Sequence, residues 1–380
     1  MRKFFGRMTG NSIKIAAVAR FAVSCLLFVG FVFPVRAEEA GFRPDKVILE
    51  HISDAHDWHF FTVNNHPVVW HLPVILYVPK QGFTVFSSAK FEEGRVPYDG
   101  FQLLTEEYIQ KYHLDPQKFL EGHIIAVHPD GSPNLDKPVY DLSLTRNVIQ
   151  MMVAALLMIL LFTKVARRYQ EAPHRAPHGW QNAIEPIVLF IRDDVARAFL
   201  GEKADKYLPY LLTVFFFIWI NALLGLIPGS ANVPGNIAFT GVLALITLFF
   251  IVISSTRQYW GHILWPPDVP ILVKIILIPV EILSFFTKPF ALMIRLFANM
   301  LAGHLIIISI LSLIFIFGGL AVAAGWGFSI VSVAFTVFMY FVELLVGFIQ
   351  AYIFTSLSAL FISQAFETGH HHGSEEEAVI

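Results

Sequence analysis

The residue best placed to do chemistry is Arg295, which lies deep inside a long apolar run between Lys288 and Ile310. An arginine at the centre of a bilayer costs about 2.5–3.5 kcal/mol on insertion scales, so its presence there is typical of an ion path. Successive residues of an α-helix are about 100° apart. On a continuous helix, four further residues therefore lie within about 40° of Arg295: Glu281, Lys288, Asn299 and Ala302. The spacing predicts one polar stripe, although Glu281 and Lys288 can also be explained as side chains that extend to the membrane surface.

A second set of polar residues faces elsewhere. His304 is about 180° from Arg295 on the same helix. In the last apolar run, Glu343 and Gln350 are seven residues apart and share a helix face. A carboxylate buried alone is costly or protonated, whereas Glu343 beside His304 forms a pair that exchanges a proton near neutral pH. The alternatives are a hydrogen-bonded core histidine and, for Gln350, a side chain that holds two helices together.

The composition places these residues in a membrane. Hydrophobic residues make up 56% of the chain and charged residues only 15%, against about 25% charged in soluble domains. Between residues 207 and 366 the charged side chains are few: Arg257, Asp268, Lys274, Glu281, Lys288, Arg295 and Glu343. We therefore predict an all-α polytopic membrane protein.

Several kinds of chemistry have no motif in the sequence. There is no GxxxxGK[ST] phosphate loop, no cysteine pair and no nucleophile elbow. An acidic and histidine-rich cluster does not have the spacing of a defined zinc site: Glu50, His51, Asp54, His56, Asp57 and His59. We therefore expect no cofactor, no bound metal and no catalytic residue, and the predicted activity is movement of an ion.

The two ends of the chain differ in character from the middle. Residues 1–37 combine basic residues, an apolar run at 21–33 and a small residue at Ala37, which indicates a signal peptide; an uncleaved anchor is the alternative. Residues 38–145 form an external segment, and residues 367–380 a disordered cytoplasmic tail. Within the external segment we predict strands at 58–63, 68–78 and 83–87 and a helix at 101–112.

The membrane domain is expected to cover residues 146–366. Its first spans are predicted at 148–165, about 209–227 and about 237–254. Residues 164–206 hold the densest lysine and arginine content after the signal segment, so that loop is cytoplasmic by the positive-inside rule. The loop also contains an amphipathic helix at the inner surface, with a soluble partner-binding helix as the alternative. Its apolar face is formed by Ile184, Ile187, Val188, Ile191, Val195, Ala198 and Phe199.

Two apolar runs are too long for one upright helix. Residues 271–317 would span about 70 Å as a continuous helix, over twice the thickness of the hydrocarbon layer. Either two spans meet near Pro289 or one long helix is tilted. After a predicted outer loop at 318–327, the run 329–366 has the same property.

Three stretches of the chain resemble subunit a of rotary ATP synthases. They are IRLFANMLAGHLI (294–306), PYLLTVFFFIWINALLGLIPG (209–229) and LLVGFIQAYIFTSLSALFIS (344–363). Together they place residues 146–366 within the family pattern, whereas residues 38–145 lie outside it. The resemblance implies five membrane helices, the last two long and tilted, plus an inner surface helix.

The resemblance also implies roles for the polar residues. Arg295 would face a ring of c subunits and hold each ring carboxylate in its ionised form, which blocks direct proton flow between two half-channels. Asn299 and Gln350 match polar positions near the arginine, and Glu281 matches an acidic position near the inner channel. His304 and Glu343 match the pair of the outer half-channel, with acid and base exchanged relative to many bacterial members.

The function implied is that of a proton-translocating stator subunit without a nucleotide site of its own. Its expected partners are the c-subunit ring, the b-subunit peripheral stalk and the rest of the synthase, with lipid and protons but no nucleic acid. The expected location is the bacterial inner membrane, with the N-terminus outside and the C-terminus in the cytoplasm. An independent secondary ion transporter is the main alternative, although no internal repeat of the transporter kind is found; a membrane scaffold leaves the buried charges unexplained.

Overall fold

The computed structural model describes residues 54–63, 66–79, 81–115, 118–171, 179–227, 229–266, 269–320 and 322–367. The predicted signal peptide, residues 1–37, and residues 368–380 of the predicted tail lie outside the described residues. The chain consists of a small mixed N-terminal domain followed by long apolar helices, as predicted.

The N-terminal domain is built from short antiparallel strands. A hairpin joins β1 (Asp57–Val63) and β2 (His66–His71), and a second sheet has the order β4 (Gly82–Ser87), β3 (Pro73–Val78), β7 (Tyr140–Asp141). A third pair joins β5 (Phe101–Leu103) and β6 (Ile124–Ala126). Inward side chains alternate along the strands and form a core with Phe91 of the 3-10 helix Ser88–Gly94. Its members are Val74, Leu76, Val78, Phe91, Phe101 and Ile124.

Two details of the predicted strands and helix were wrong. The strand predicted at 68–78 is divided at Leu72, whose N–H donates to His56 O and whose carbonyl accepts from Ser88 N, so the chain crosses there from one sheet to the next. The helix predicted at 101–112 begins only with α1 (Glu106–Lys111), after the N-cap Thr105. Its first residues pair with β6 instead, because tertiary pairing overrides local propensity.

Backbone hydrogen bonds fix the N-terminal domain to the first membrane helix, α2 (Arg146–Glu171). Arg146 N donates to Ala55 O at 3.0 Å, and Asn147 N donates to Asp54 Oδ1 at 3.3 Å. Asp54 of the acidic and histidine-rich cluster thus makes a structural bond, and so does Asp57, whose Oδ1 accepts from Ser88 Oγ at 2.5 Å. The domain is held at the end of α2 by its own backbone.

A hydrogen bond between a buried histidine and a partly exposed aspartate reinforces this junction. His56 Nε2 donates to Asp141 Oδ2 at 2.7 Å, and Ser143 N donates to Asp141 Oδ1 at 2.9 Å. Burial by itself raises the pKa of the Asp141 carboxyl, but the bonds from His56 and Ser143 outweigh it, so the pKa lies below its ordinary value. The pair therefore favours the charged carboxylate in the folded domain.

The Asp141→Asn variant is expected to lower the free energy of unfolding by about 0.5–1.5 kcal/mol, the range of a typical hydrogen bond, because Asp141 is partly exposed and water screens its charge. Because the folded pKa is depressed, the contribution is present above the ordinary pKa of a carboxyl group. It is lost as the pH falls through the depressed value. Thermal unfolding of the full chain in detergent, followed by tryptophan fluorescence across pH, measures this. The exposed Asp136→Asn is the matched control, and equal stability of the two variants at neutral pH would contradict the assignment.

Five segments within the described residues are long and apolar enough to cross a membrane. They contain the helices α2, α4 (Ala204–Gly225), α5 (Ile237–Ser254), α7 (Ile271–Leu320) and α8 (Val322–Glu367). The segment of α4 also includes the helical stretch that precedes it. A short helix, α6 (Arg257–Leu264), precedes α7. The protein is therefore an integral membrane protein of the predicted all-α class.

The amphipathic segment is α3 (Trp180–Phe190), extended by a π-helical stretch, Ile191–Arg197, and a last turn, Ala198–Leu200. Six of the seven residues of its predicted apolar face pack into the core of the membrane helices, mainly on α4 and α8. The exception is Ala198, which is exposed, while Ala196 is buried in its place. Arg192 and Arg197 pair with Asp193 on the exposed side. Because the membrane helices of the same chain cover this apolar face, it is not free to bind a soluble partner, and that alternative is wrong.

The two long helices form a hairpin. The 50-residue helix α7 is continuous through Pro289. The prediction of one long helix is therefore confirmed, and the alternative of two spans that meet near Pro289 is wrong. The predicted outer loop at 318–327 is also wrong, since α7 extends to Leu320 and α8 begins at Val322. A Cβ on Gly325 would lie 2.7 Å from Gly318 Cα. The two backbones approach closely there because neither residue has a side chain.

Candidate functional site

Arg295 lies on the exposed face of α7, together with Asn299 and Ala302. Its surroundings are apolar, since neighbouring Phe290 is 58% and Ile294 37% exposed. Arg295 makes no hydrogen bond or ion pair with any residue that the structure describes. A charge without a partner on an apolar surface is costly in lipid, so the position favours a partner outside this chain.

His304 and Glu343 lie together between α7 and α8. His304 Nδ1 and Glu343 Oε1 are 3.2 Å apart, and the side chains are 16% and 5% exposed. The other carboxylate oxygen, Glu343 Oε2, is buried with no hydrogen-bond partner among the described residues. Gly303 lies beside the pair, since a Cβ there would be in ordinary van der Waals contact with Glu343 Cδ at 3.6 Å. The arrangement brings an acid and a base within reach of one shared proton.

Glu281 and Lys288 line a cavity of about 180 Å³ near the start of α7. Lys288 Nζ donates to Gln364 Oε1 of α8 at 2.9 Å. The remaining polar lining comes from Tyr259, His262 and Ser284. Burial, to which the charge of Glu281 adds, raises the pKa of the Tyr259 phenol. The cavity is thus lined by groups that donate, accept or carry a proton.

The single stripe predicted along α7 is therefore divided. Arg295, Asn299 and Ala302 are exposed, whereas Glu281 and Lys288 are half-buried. The division arises because α6 covers this part of α7, with Trp260 packed 5.4 Å from Phe285 between ring centroids. Glu281 and Lys288 therefore line the cavity and do not simply extend to the membrane surface.

Gln350 is buried with Glu343, at 7% and 6% exposure, as their common helix face predicts. It is not joined to the arginine, since no hydrogen bond among the described residues links Arg295 with Gln350 or Asn299. The reason is the direction of each side chain. Gln350 points into the helix packing, whereas Arg295 and Asn299 point out of it.

Sequence reasoning missed several polar contacts around these groups. Gln364 carries a recognisable signal, because it lies fourteen residues after Gln350 and so within about 40° of it on the helix. Another contact joins α2 to the loop after α4: the Gln150 amide exchanges two bonds with the Ala231 backbone, both 2.7 Å. Asn232 then donates to Met300 O on α7 at 3.2 Å. The sequence signal for the Gln150 contact is a glutamine inside an apolar span.

Comparison with known proteins identifies the membrane domain. Residues 148–363 match the family model described as ATP synthase A chain, and residues 47–142 match a domain of unknown function. Similar proteins, each named ATP synthase subunit a, come from Chloroherpeton thalassium, at 42% identity over 69% of this chain and 80% of the relative, and from Myxococcus xanthus, at 41% identity over 64% and 80%. The chain therefore belongs to the ATP synthase A chain family, as a membrane subunit of an F-type ATP synthase.

Proposed function

We propose that Arg295 is the electrostatic gate that couples proton flow to rotation of a c-subunit ring. The observation that carries the proposal is that Arg295 is exposed on the apolar face of α7 without a partner among the described residues. A carboxylate on a passing subunit, at about 4 Å and an effective dielectric constant of about 20, is attracted by about 4 kcal/mol. Such an attraction keeps the carboxylate ionised at the arginine, so that no proton crosses directly from one half-channel to the other.

The two other polar groups are proposed as the half-channels. Along α7 the cavity at Glu281 precedes Arg295 by about 21 Å, and His304 follows it by about 14 Å, at 1.5 Å per residue. The cavity would serve the inner half-channel and the His304–Glu343 pair the outer one. Asn299 and Gln350 would supply polar surface beside the path. Protons entering by one route then leave by the other only after travelling with the ring.

We further propose the orientation of the chain and its partners. The basic residues between Lys164 and Lys206 place that loop in the cytoplasm of a bacterium by the positive-inside rule. The N-terminal domain is then external, residues 1–37 are a signal peptide, and the C-terminus is cytoplasmic. The c-subunit ring lies on the exposed face of α7 and α8, and a b-subunit stalk binds elsewhere. An independent transporter would need an internal substrate site, whereas Arg295 faces outward.

Cross-linking tests the ring-facing surface. In a chain whose Cys25 is replaced by serine, Ala302→Cys, on the exposed face with Arg295, is expected to cross-link to the small ring subunit of the assembled synthase. Leu245→Cys is the matched control, because Leu245 is 63% exposed on α5. Equal cross-linking of both positions, or cross-linking only at position 245, would place the ring elsewhere.

The Glu281→Gln variant tests the inner half-channel. It keeps the shape of the side chain but removes its ability to ionise, so proton transport should fall about a hundredfold, the scale of a lost acid–base group. ATP-driven quenching of a pH-sensitive dye in vesicles measures the rate. Ile282→Ala, at a neighbouring residue that is 38% exposed, controls for loss of packing. Unchanged transport in Glu281→Gln would exclude Glu281 from the proton path.

A further inference from the structure

The N-terminal domain carries an apolar surface that its own core does not use. On the sheet β4–β3–β7, one set of alternating side chains points into the core and the other points away from it. We call the second set the outer sheet face; it consists of Ile75, Tyr77, Phe83, Val85, Tyr140 and Leu142. Register pairs Tyr77 with both Phe83 and Tyr140, so the aromatic rings form one row across three strands.

The outer sheet face is well exposed. Phe83 is 68%, Val85 64%, Leu142 57% and Tyr140 56% exposed. An antiparallel sheet with one solvated face ordinarily alternates apolar and polar residues, but none of the six side chains here carries a charge. A contiguous exposed apolar patch of this kind marks a contact surface.

The position of the face relative to the membrane helices identifies what it contacts. Leu142 N donates to Ile75 O at 2.9 Å, and Leu144 N donates to Pro73 O at 3.2 Å, so the sheet pairing continues almost to Arg146, where α2 begins. The four Cα–Cα steps from Leu142 to Arg146 span at most about 14 Å. The sheet is therefore held at the level where the first span enters the bilayer.

The exposed side of α2 is itself apolar. Met152 is 58%, Leu156 56% and Leu160 58% exposed, as expected of a lipid-facing helix. Exposed apolar residues are thus found both on α2 and on the sheet that leads into it, with only the short connection between them in the chain. Two of the six residues on that face are tyrosines, a residue type enriched at the level of the lipid head groups.

A second attachment limits how far the domain can move from the membrane. Trp58 Nε1 donates to Gly229 O at 2.8 Å, which joins β1 to the loop between α4 and α5. The N-terminal domain is consequently fixed both to the start of α2 and to a second interhelical loop. The apolar face and these two attachments together favour lipid over solvent as its surroundings.

We propose that the outer sheet face lies in the head-group region of the bilayer, as a lipid-contacting surface of the N-terminal domain. The contact is apolar and aromatic, with no charged group in it. It is therefore expected to be the same in neutral and anionic lipids. The face would give the N-terminal domain of this chain a physical role, which is to fix the domain on the membrane beside the first span.

Site-directed spin labelling in the assembled synthase, reconstituted in phosphatidylcholine nanodiscs, tests the proposal. With Cys25 replaced by serine, labels at Phe83→Cys and Leu142→Cys are expected to be relaxed more by oxygen, which partitions into lipid, than by a water-soluble nickel chelate. The control label is Leu135→Cys, since Leu135 is 58% exposed outside the outer sheet face; it should be relaxed more by the nickel chelate. Phe83 and Leu142 are largely exposed, so neither change removes core packing.

Each outcome of this measurement supports or refutes the lipid contact of the outer sheet face. Relaxation by oxygen at both face positions, unchanged when anionic lipid is added, supports the lipid contact. Relaxation by the nickel chelate at Phe83→Cys and Leu142→Cys, as at the control, would show a face in water and overturn it. Protection from both reagents would show that a protein subunit covers the face and would overturn it equally. Pumping activity of the labelled synthase separates this question from the proposed role of Arg295.

Discussion

Replacement of Arg295 by alanine is expected to abolish ATP-driven proton pumping, while ATP hydrolysis by the soluble head of the synthase stays measurable. The change removes an attraction of about 4 kcal/mol for a ring carboxylate, which corresponds to about a thousandfold in the rate of a step that depends on it. Pumping is measured by dye quenching in vesicles, and hydrolysis by phosphate release from the same preparation.

Two further variants separate charge from packing at this position. Ile294→Ala removes a neighbouring exposed side chain of α7 and should leave pumping close to that of the unchanged protein. Arg295→Lys keeps a positive charge but loses the planar guanidinium, so it should pump more than Arg295→Ala. Proton pumping retained in Arg295→Ala would refute the gate.

The second large effect is expected at the pair between α7 and α8. His304→Ala and Glu343→Gln should each lower proton transport about a hundredfold, because each leaves half of an acid–base pair. The double exchange, His304→Glu with Glu343→His, should recover more transport than either single variant. The reason is geometric: the two groups are 3.2 Å apart, so an exchanged pair again places an acid against a base.

The neighbouring Gln350→Leu variant serves as a comparison, since Gln350 is equally buried but makes no bond to either partner among the described residues. It should cost less transport than the single changes at His304 or Glu343. If the exchange and both single variants all lose transport to the same extent, the two residues do not act as a pair.

Helix periodicity predicted the site best where residues are close in sequence. The 180° between Arg295 and His304 separated an exposed residue from a partly buried one, and the seven residues from Glu343 to Gln350 placed both on a buried face. Such predictions succeed because the helix geometry is set locally. The amphipathic segment followed from the same periodicity, whereas the number of spans followed from the family resemblance.

Features that depend on packing between distant segments could not be predicted in this way. Nothing in the residues near Lys288 indicates that α6 would cover it or that Gln364 would bind it. The two long helices were expected, but the outer loop predicted between them at 318–327 was wrong, since its glycines, Gly318 and Gly325, lie within helices. In fact they allow two backbones to touch. The N-terminal sheet order likewise depends on pairing that no local pattern specifies.

The length of α7 has a consequence for the membrane that surrounds it. Fifty residues give a rod of about 75 Å, against about 30 Å of hydrocarbon. A helix with such an excess accommodates the mismatch by leaning or by deforming the bilayer, so its slope is set jointly by its protein neighbours and by the lipid. The acyl-chain length of the host membrane therefore affects the position of Arg295. In a thinner bilayer the helix tilts further from the membrane normal, which changes the depth at which the guanidinium meets its partner.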